Sequence, residues 1–466
     1  MSIPVIQTGK PIVDTAARTQ RISEIKYWRA SERVDQHYLR SQAPDGHKVV
    51  LALTCESETD YSERIALTRR SNFIRPFARR YNQAVFRHQP QRTLTPTVER
   101  LLQDADGRGK PLDKLMTDAL FEAQIAGQAA VVLEATTELP PDATVAQVAD
   151  ANEAFVLRLI KAENILAIGR SEEGIEWVML LFYDGDGDGE TDKTWVRLYT
   201  DFDTQDFMLR DTNTLIVDEV LDPVPHGLEE LPVAIIEPEP GSSQIAAWAD
   251  VQRAIHNTDS FLRLELTTQT FTRWILTGVQ GADEEDGLGG VRKRPAIQWG
   301  SRRIFSFEDP NIKVERLSSD VSQADSLRDT IRGDTEDLYR LAGLQANYAI
   351  DGQPQSGFSR LLQLEDFAVQ ADQLADSMEA AENKLLRLVA ITESTEEPEV
   401  VYSRDFSEAS FEASAERLEK LGGLIDAAYP PETAALIRRE LVGKLITQNF
   451  GIEVPAIEEQ ADTEEA

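Results

Sequence analysis

Two stretches of this 466-residue chain, 243–270 and 319–343, carry apolar residues at helical spacing, and the segment between them, 271–318, reads as short strands and turns. In the first, Ile245, Trp248, Val251, Ile255, Leu262 and Leu266 share one face; in the second, Val321, Ala324, Leu327, Ile331, Leu338 and Leu341 do. Ser242-Ser243 and Ser318-Ser319-Asp320 supply cap residues for the two starts. The first run predicts a rod about 40 Å long. The segment between opens with a strand over Thr270–Thr277, then Asp283–Asp286, a glycine-rich turn and Arg292-Lys293-Arg294, with further strands at 296–299, 303–307 and 312–316. A helix–insert–helix hairpin of this length suits one stave of a ring better than a compact monomer.

A third helical run, 359–393, repeats apolar residues in steps of three and four: Leu364, Phe367, Ala371, Leu374, Met378, Ala381, Leu385 and Leu388. That heptad seam requires another helix packed along its length, either in the chain's own core or in a neighbouring copy. Residues 344–358 before it form a loop with a single charge, Asp351, and loops this long are often functional. Beyond 394 a helical pair, 408–428 and 431–448, breaks at Tyr429-Pro430-Pro431, and the acidic run 458–465 reads as a solvated tail.

The N-terminal part differs. Residues 1–95 read as mostly helical with a break at 43–46, and a helix over Leu112–Ala126 stops at Gly127 and runs into the buried strand Ala129–Leu133. Strands at 155–160, 175–182 and 194–199 follow, so 1–242 is mixed and antiparallel and the fold class is α+β, mainly helical. Length alone suggests roughly three domains.

A net charge of −33 argues against tight, groove-type binding of nucleic acid. It is unevenly spread: residues 64–92 hold eight arginines and no acid. Between Tyr61 and Phe86 they interleave with Ile65, Phe73, Phe77 and Val85, which reads as an amphipathic helix with a basic outer face. The other reading makes Arg69, Arg70, Arg79 and Arg80 a contact for an acidic partner, because arginine forks pair well with carboxylate and phosphate. No run approaches the ~18 apolar residues of a membrane span. The start shows no basic-then-apolar pattern, so no signal peptide is expected. Cys55, the single cysteine, excludes an internal disulfide and fits a reducing cytoplasm.

Catalytic patterns are missing. No Gly-x-x-x-x-Gly-Lys-Ser/Thr, nucleophile elbow or His-Glu-x-x-His occurs, and His37, His47, His88, His226 and His256 lack metal-ligand spacing. Asp184-Gly-Asp186-Gly-Asp188-Gly matches the first half of a calcium loop, but position twelve is Trp195 and the flanks read as strands, so a hairpin turn is preferred. No catalytic residue, metal site or cofactor is expected.

Four stretches resemble the portal proteins of tailed double-stranded DNA bacteriophages: Tyr61–Arg87, Asp118–Leu133, Ala247–Gly278, and Leu341–Leu344 with Ser356–Glu365. The resemblance lies in the order of elements over most of 60–450. It implies a ring of about twelve copies at one capsid vertex, with DNA passing through the centre. Residues 1–242 and 359–393 would then be the wing, 243–270 and 319–343 the stem, 271–318 the clip, 344–358 the tunnel loop and 394–466 the crown. Gln345, Asn347, Tyr348, Gln353 and Gln355 would face DNA; Arg292, Lys293, Arg294, Arg302 and Arg303 would meet the terminase large subunit and the head–tail adaptor. Other implied partners are the major capsid protein and, as a further candidate, a scaffolding protein, with no membrane. The implied location is the virion, after assembly in the host cytoplasm. Rival readings are another ring-forming head–tail adaptor, or a metal-dependent hydrolase centred on Asp184, Asp186 and Asp188.

Overall fold

A computed structural model describes residues 4, 6–54, 56–135, 155–172, 174–184, 193–211, 214–270, 273–277, 283–286, 290–293, 313–317, 321–344, 357–393, 397–404 and 406. Helices α1 (Thr15–Arg33), α2 (Gln36–Arg40), α3 (Glu58–Leu67) and α4 (Ile74–Val85) come first, then strand β1 (Gln91–Arg92), α5 (Pro96–Gln103) and α6 (Leu112–Ala126). Strands β2 (Ala129–Ala135), β3 (Phe155–Lys161), β4 (Ile165–Ser171), β5 (Gly174–Asp184), β6 (Lys193–Tyr199), β7 (Asp203–Asp211), β8 (Ile216–Val220), β9 (Val224–Pro225) and β10 (Val233–Ile236) follow. The long helix α7 (Ala246–Thr270) leads into β11 (Arg273–Thr277), β12 (Asp283–Asp286), β13 (Gly290–Lys293) and β14 (Lys313–Leu317). Helices α8 (Val321–Leu341) and α9 (Gly357–Glu393) and strand β15 (Val400–Val401) complete the described elements.

The body is layered. A three-stranded antiparallel sheet, β10-β2-β3, lies between the helices and a larger antiparallel sheet, β4-β5-β6-β7-β8, on which β9 also pairs with β7. Strand alternation explains how β2 serves both sides: Ala129, Val131 and Leu133 join the helical core, while Ala130 and Val132 join the core shared with Val178, Leu180 and Phe182 of β5. The far face of the large sheet (Trp177, Met179, Leu181, Val196, Phe207) is covered by Ile6, Ile12 and Val13. Gly169 is fixed by packing, because an added Cβ would stand 2.2 Å from the Trp177 indole on the neighbouring strand.

The seam of α9 lies inside this chain. Phe367, Ala371, Leu374, Met378, Ala381, Leu385 and Leu388 are all buried, in the core shared with α4, α6 and β10. Of the two partners left open by the heptad pattern, the chain's own core is the one observed for these seven residues.

Several expectations change. The arginine-rich segment is two helices rather than one, separated by Thr68–Phe73, and two of its arginines point inward. Arg64 is fully buried, with Nη2 2.7 Å from Glu56 Oε2 and Nη1 donating to Ser260 Oγ at 2.8 Å. Arg92, its side chain almost wholly covered, meets Glu382 at 2.5 Å and Asp113 at 2.7 Å. A buried guanidinium with two carboxylate or hydroxyl partners is a fastening, not a basic face. The acidic quartet 283–286, to which the sequence assigned no element, is β12 and pairs with β13. Strands β4, β7, β8 and β10 and helix α5 had no counterpart in the sequence reading. The expected strands at 296–299 and 303–307 and the helical pair at 408–448 lie outside the described residues.

Candidate functional site

Helices α7 and α8 form an antiparallel pair packed along its length, closed at the far end by the β11–β14 ladder, where Arg273 stands opposite Leu317 and Thr277 opposite Lys313. One member of the pair is bolted to the body. At the start of α7, Ser243 Oγ lies 2.9 Å from the Gln124 carbonyl and 2.8 Å from that of Ile125, so its one O–H is shared between free carbonyls at the end of α6. Further along, Gln252 Nε2 donates to Ser31 O at 2.9 Å and its Oε1 accepts from Phe73 N at 2.9 Å. Asn257 accepts from Leu51 N (2.9 Å) and donates to Val49 O (2.7 Å). These bonds serve backbone groups of helix ends and of the loops beside them, which explains why polar residues occupy this helix face.

Helix α8 is held mainly at its C-terminal end. Leu338 and Ala342 enter the core, Tyr339 stacks edge-on against Phe77 (4.9 Å), and Tyr81 Oη donates to Ala342 O at 2.7 Å. Gly343, at φ +58°, turns the chain where a Cβ would approach Tyr81 and the Phe367 backbone within 3.4 Å. Earlier in α8 Ala324 is fully buried, and the outward face is polar: Ser322, Gln323, Asp325, Ser326, Asp329, Thr330 and Arg332 are exposed.

Beside this pair runs a groove of about 740 Å³. Arg69, Arg70 and the following residues to Phe73 form one wall, Ile255, His256 and Asp259 of α7 the floor, and Arg328, Asp329, Ile331, Arg332, Thr335 and Glu336 of α8 the other wall, so acids and bases alternate along it. Asp259 positions the first wall: its Oδ2 accepts the Arg69 backbone N–H at 2.7 Å, and its Oδ1 lies 3.2 Å from Arg263. His256 is fully buried; Nε2 donates to Ser71 O at 2.9 Å, which makes Nδ1 the acceptor nitrogen, and Nδ1 has no partner among the described residues. Burial pulls its pKa down to about 4, opposed by the Ser71 carbonyl and Asp259. The imidazole is therefore neutral near pH 7 and belongs to the scaffold of the groove.

Arg69 and Arg70 thus border the groove, whereas Arg79 and Arg80 lie outside it on the exposed face of α4, Arg80 stacking 5.9 Å from the Phe367 ring. Of the clip candidates, Arg292 and Lys293 fall on β13, opposite Glu284 and Asp283; Arg294, Arg302 and Arg303 lie outside the described residues, as do Gln345, Asn347, Tyr348, Gln353 and Gln355. Asp184 ends β5 and stands opposite Lys193 of β6; Asp186 and Asp188 lie outside the described residues between these paired strands. Among the described residues no three His, Cys, Asp or Glu side chains converge as metal ligands. Arg328, Arg332, His256 and Asp259 were missed from the sequence, where attention fell on the apolar stripe of each helix. The four-residue spacing of Arg328 and Arg332 was the available signal.

No protein-family model matches the chain, and no curated protein does. Among solved structures it is similar to a chain of the neck of the empty GTA particle computed with C6 symmetry, at 13% identity and TM-score 0.42, over 78% of this chain and 88% of that one. It is similar also to a chain of the neck of the native GTA particle computed with C12 symmetry, at 12% identity and TM-score 0.37, over 78% of this chain and 89% of that one. No helix among the described residues is long and apolar enough to cross a membrane.

Proposed function

We propose that this protein is a ring-forming portal subunit, a head–tail connector through which double-stranded DNA enters and leaves a phage-type particle. The observation that carries the reading is the hairpin: α7 fastened to the body, α8 exposed along a polar outer face, and a β ladder at the tip. A polar helix face backed by a rigid body is what an aqueous channel wall requires. A wall that mixes aspartates with arginines also holds few phosphates, and each phosphate retained would add salt-sensitive drag on a moving polyanion.

In this reading 243–270 and 319–343 are the stem, 271–318 the clip, 1–242 with 359–393 the wing, 344–358 the tunnel loop and 394–466 the crown. Gln345, Asn347, Tyr348, Gln353 and Gln355 face DNA, and Arg292, Lys293, Arg294, Arg302 and Arg303 meet the packaging terminase and the adaptor. The protein itself is not an enzyme. Light scattering with negative-stain microscopy of the purified chain tests this: rings with a central opening are expected. A chain that stays monomeric at high concentration, with no rings, overturns it.

A further inference from the structure

A cavity of about 350 Å³ opens between α1 and β4, where the three apolar cores meet. Ile25 and Ala162 reach it from the helical core, Ile165 from the core between the sheets, and Val13, Leu166 and Ala167 from the far face of the large sheet. Along α1, Arg18, Arg21, Ile22 and Ile25 recur at helical spacing, so the face that supplies part of the apolar wall also brings two guanidinium groups to it. We propose that this cavity binds a small aliphatic carboxylate, its hydrocarbon tail in the chamber and its head on Arg18 and Arg21. The site is separate from the stem hairpin and does not depend on the ring.

The arginines carry the assignment. Arg18 Nε is buried without a hydrogen-bond partner, and neither Arg18 nor Arg21 has an ion-pair partner among the described residues. Other arginines of this body are paired: Arg29 with Glu122 and Glu163, Arg64 with Glu56, Arg92 with Glu382. In a chain with 81 acids against 48 lysines and arginines, two guanidinium groups left without a carboxylate leave a place for one from outside. Two acids also line the cavity, and both are engaged. Asp14 Oδ1 accepts the Ala16 N–H at 2.9 Å at the start of α1, and Glu163 gives both oxygens to Arg29, Oε2 at 2.7 Å. The volume sits at the low end of small-ligand pockets, roughly 300–1,000 Å³. One apolar chamber beside one pair of cations matches a ligand with one tail and one head. Seating the tail removes apolar wall from water, and a guanidinium fork holds a carboxylate by two parallel bonds.

Calorimetric titration of the full chain with sodium octanoate tests it. Saturable binding of a single octanoate per chain is expected, with a melting temperature that rises with ligand concentration. R18Q/R21Q should weaken binding by about tenfold or more. A17F, at an exposed position lining the cavity, should block binding while the protein melts like the wild type. Octanol, equally long but uncharged, should bind about tenfold more weakly than octanoate. No saturable octanoate binding, or binding that R18Q/R21Q leaves unchanged, overturns the proposal; if that variant fails to fold, A17F and octanol decide. Octanol as tight as octanoate makes the chamber apolar only and overturns it too. So does a peptide ending in leucine that binds where octanoate does not, because the cavity then belongs to a protein partner. Each readout is taken whether or not the wild type forms rings, so failure here leaves the ring reading untouched.

Discussion

At the residue level, Arg64 and His256 show how buried polar groups fix the base of the hairpin. Arg64 ties Glu56 and Ser260 together and also donates to Leu51 O at 2.6 Å, so one side chain holds α3, α7 and the loop before α3. Replacing it with methionine strands the Glu56 carboxylate, and R64M should lose about 3 kcal/mol in urea unfolding. Bonding to Arg64 holds Glu56 below the usual carboxylate range despite its burial. The stability this confers is complete above the unfolded pKa and fades as pH falls through the lower folded value, so the gap between wild type and E56Q should shrink in acid. His256 also disfavours acid, by a different route. Unfolded it titrates near 6.5 and folded near 4, so the unfolded chain takes up more protons between those limits. Stability should be full above pH 6.5 and decline toward pH 4, by on the order of 3 kcal/mol for this group. H256Q should flatten that decline relative to the wild type in melts across the same range.

At the level of elements, much was legible because long helices announce themselves by period. The runs read at 243–270 and 319–343 correspond to helices Ala246–Thr270 and Val321–Leu341, and the heptad residues of α9 are the ones buried. Short strands were less visible. β4 and β7 mix polar and apolar residues because only part of each is covered, so their alternation is weak. Charge misled in one place: Arg64 reads as part of a basic outer face but is buried against Glu56, and Arg92 is held by Glu382, 290 positions away. No sequence period encodes contacts between elements so distant. Two substitutions test the element packing. L338A, at a fully buried site in α8, should cost about 2–5 kcal/mol, whereas L341A, at an exposed site one turn on, should change stability by less than about 0.5 kcal/mol. L385A in α9 should lower stability by a similar 2–5 kcal/mol at every protein concentration, since its seam is internal to the chain.

At the level of the whole molecule, apolar contacts and charged contacts divide the work. The described cores fill the body, while α8 presents charge on both flanks and little apolar surface. The candidate site was legible only in part. Arg69 and Arg70 stood out as a doublet, but the groove that gives them neighbours exists only once α7 and α8 lie side by side.

The join between Ser243 and the last turn of α6 has a mechanical consequence. Gly127 takes φ +84° there, and a side chain at that position would strike Ser242 O. Helix α6, the first residues of β2 and the root of α7 are therefore one rivet, with no slack between them. A pull on the β tip is delivered down a stiff rod to that rivet, and from it straight into the central three-stranded sheet.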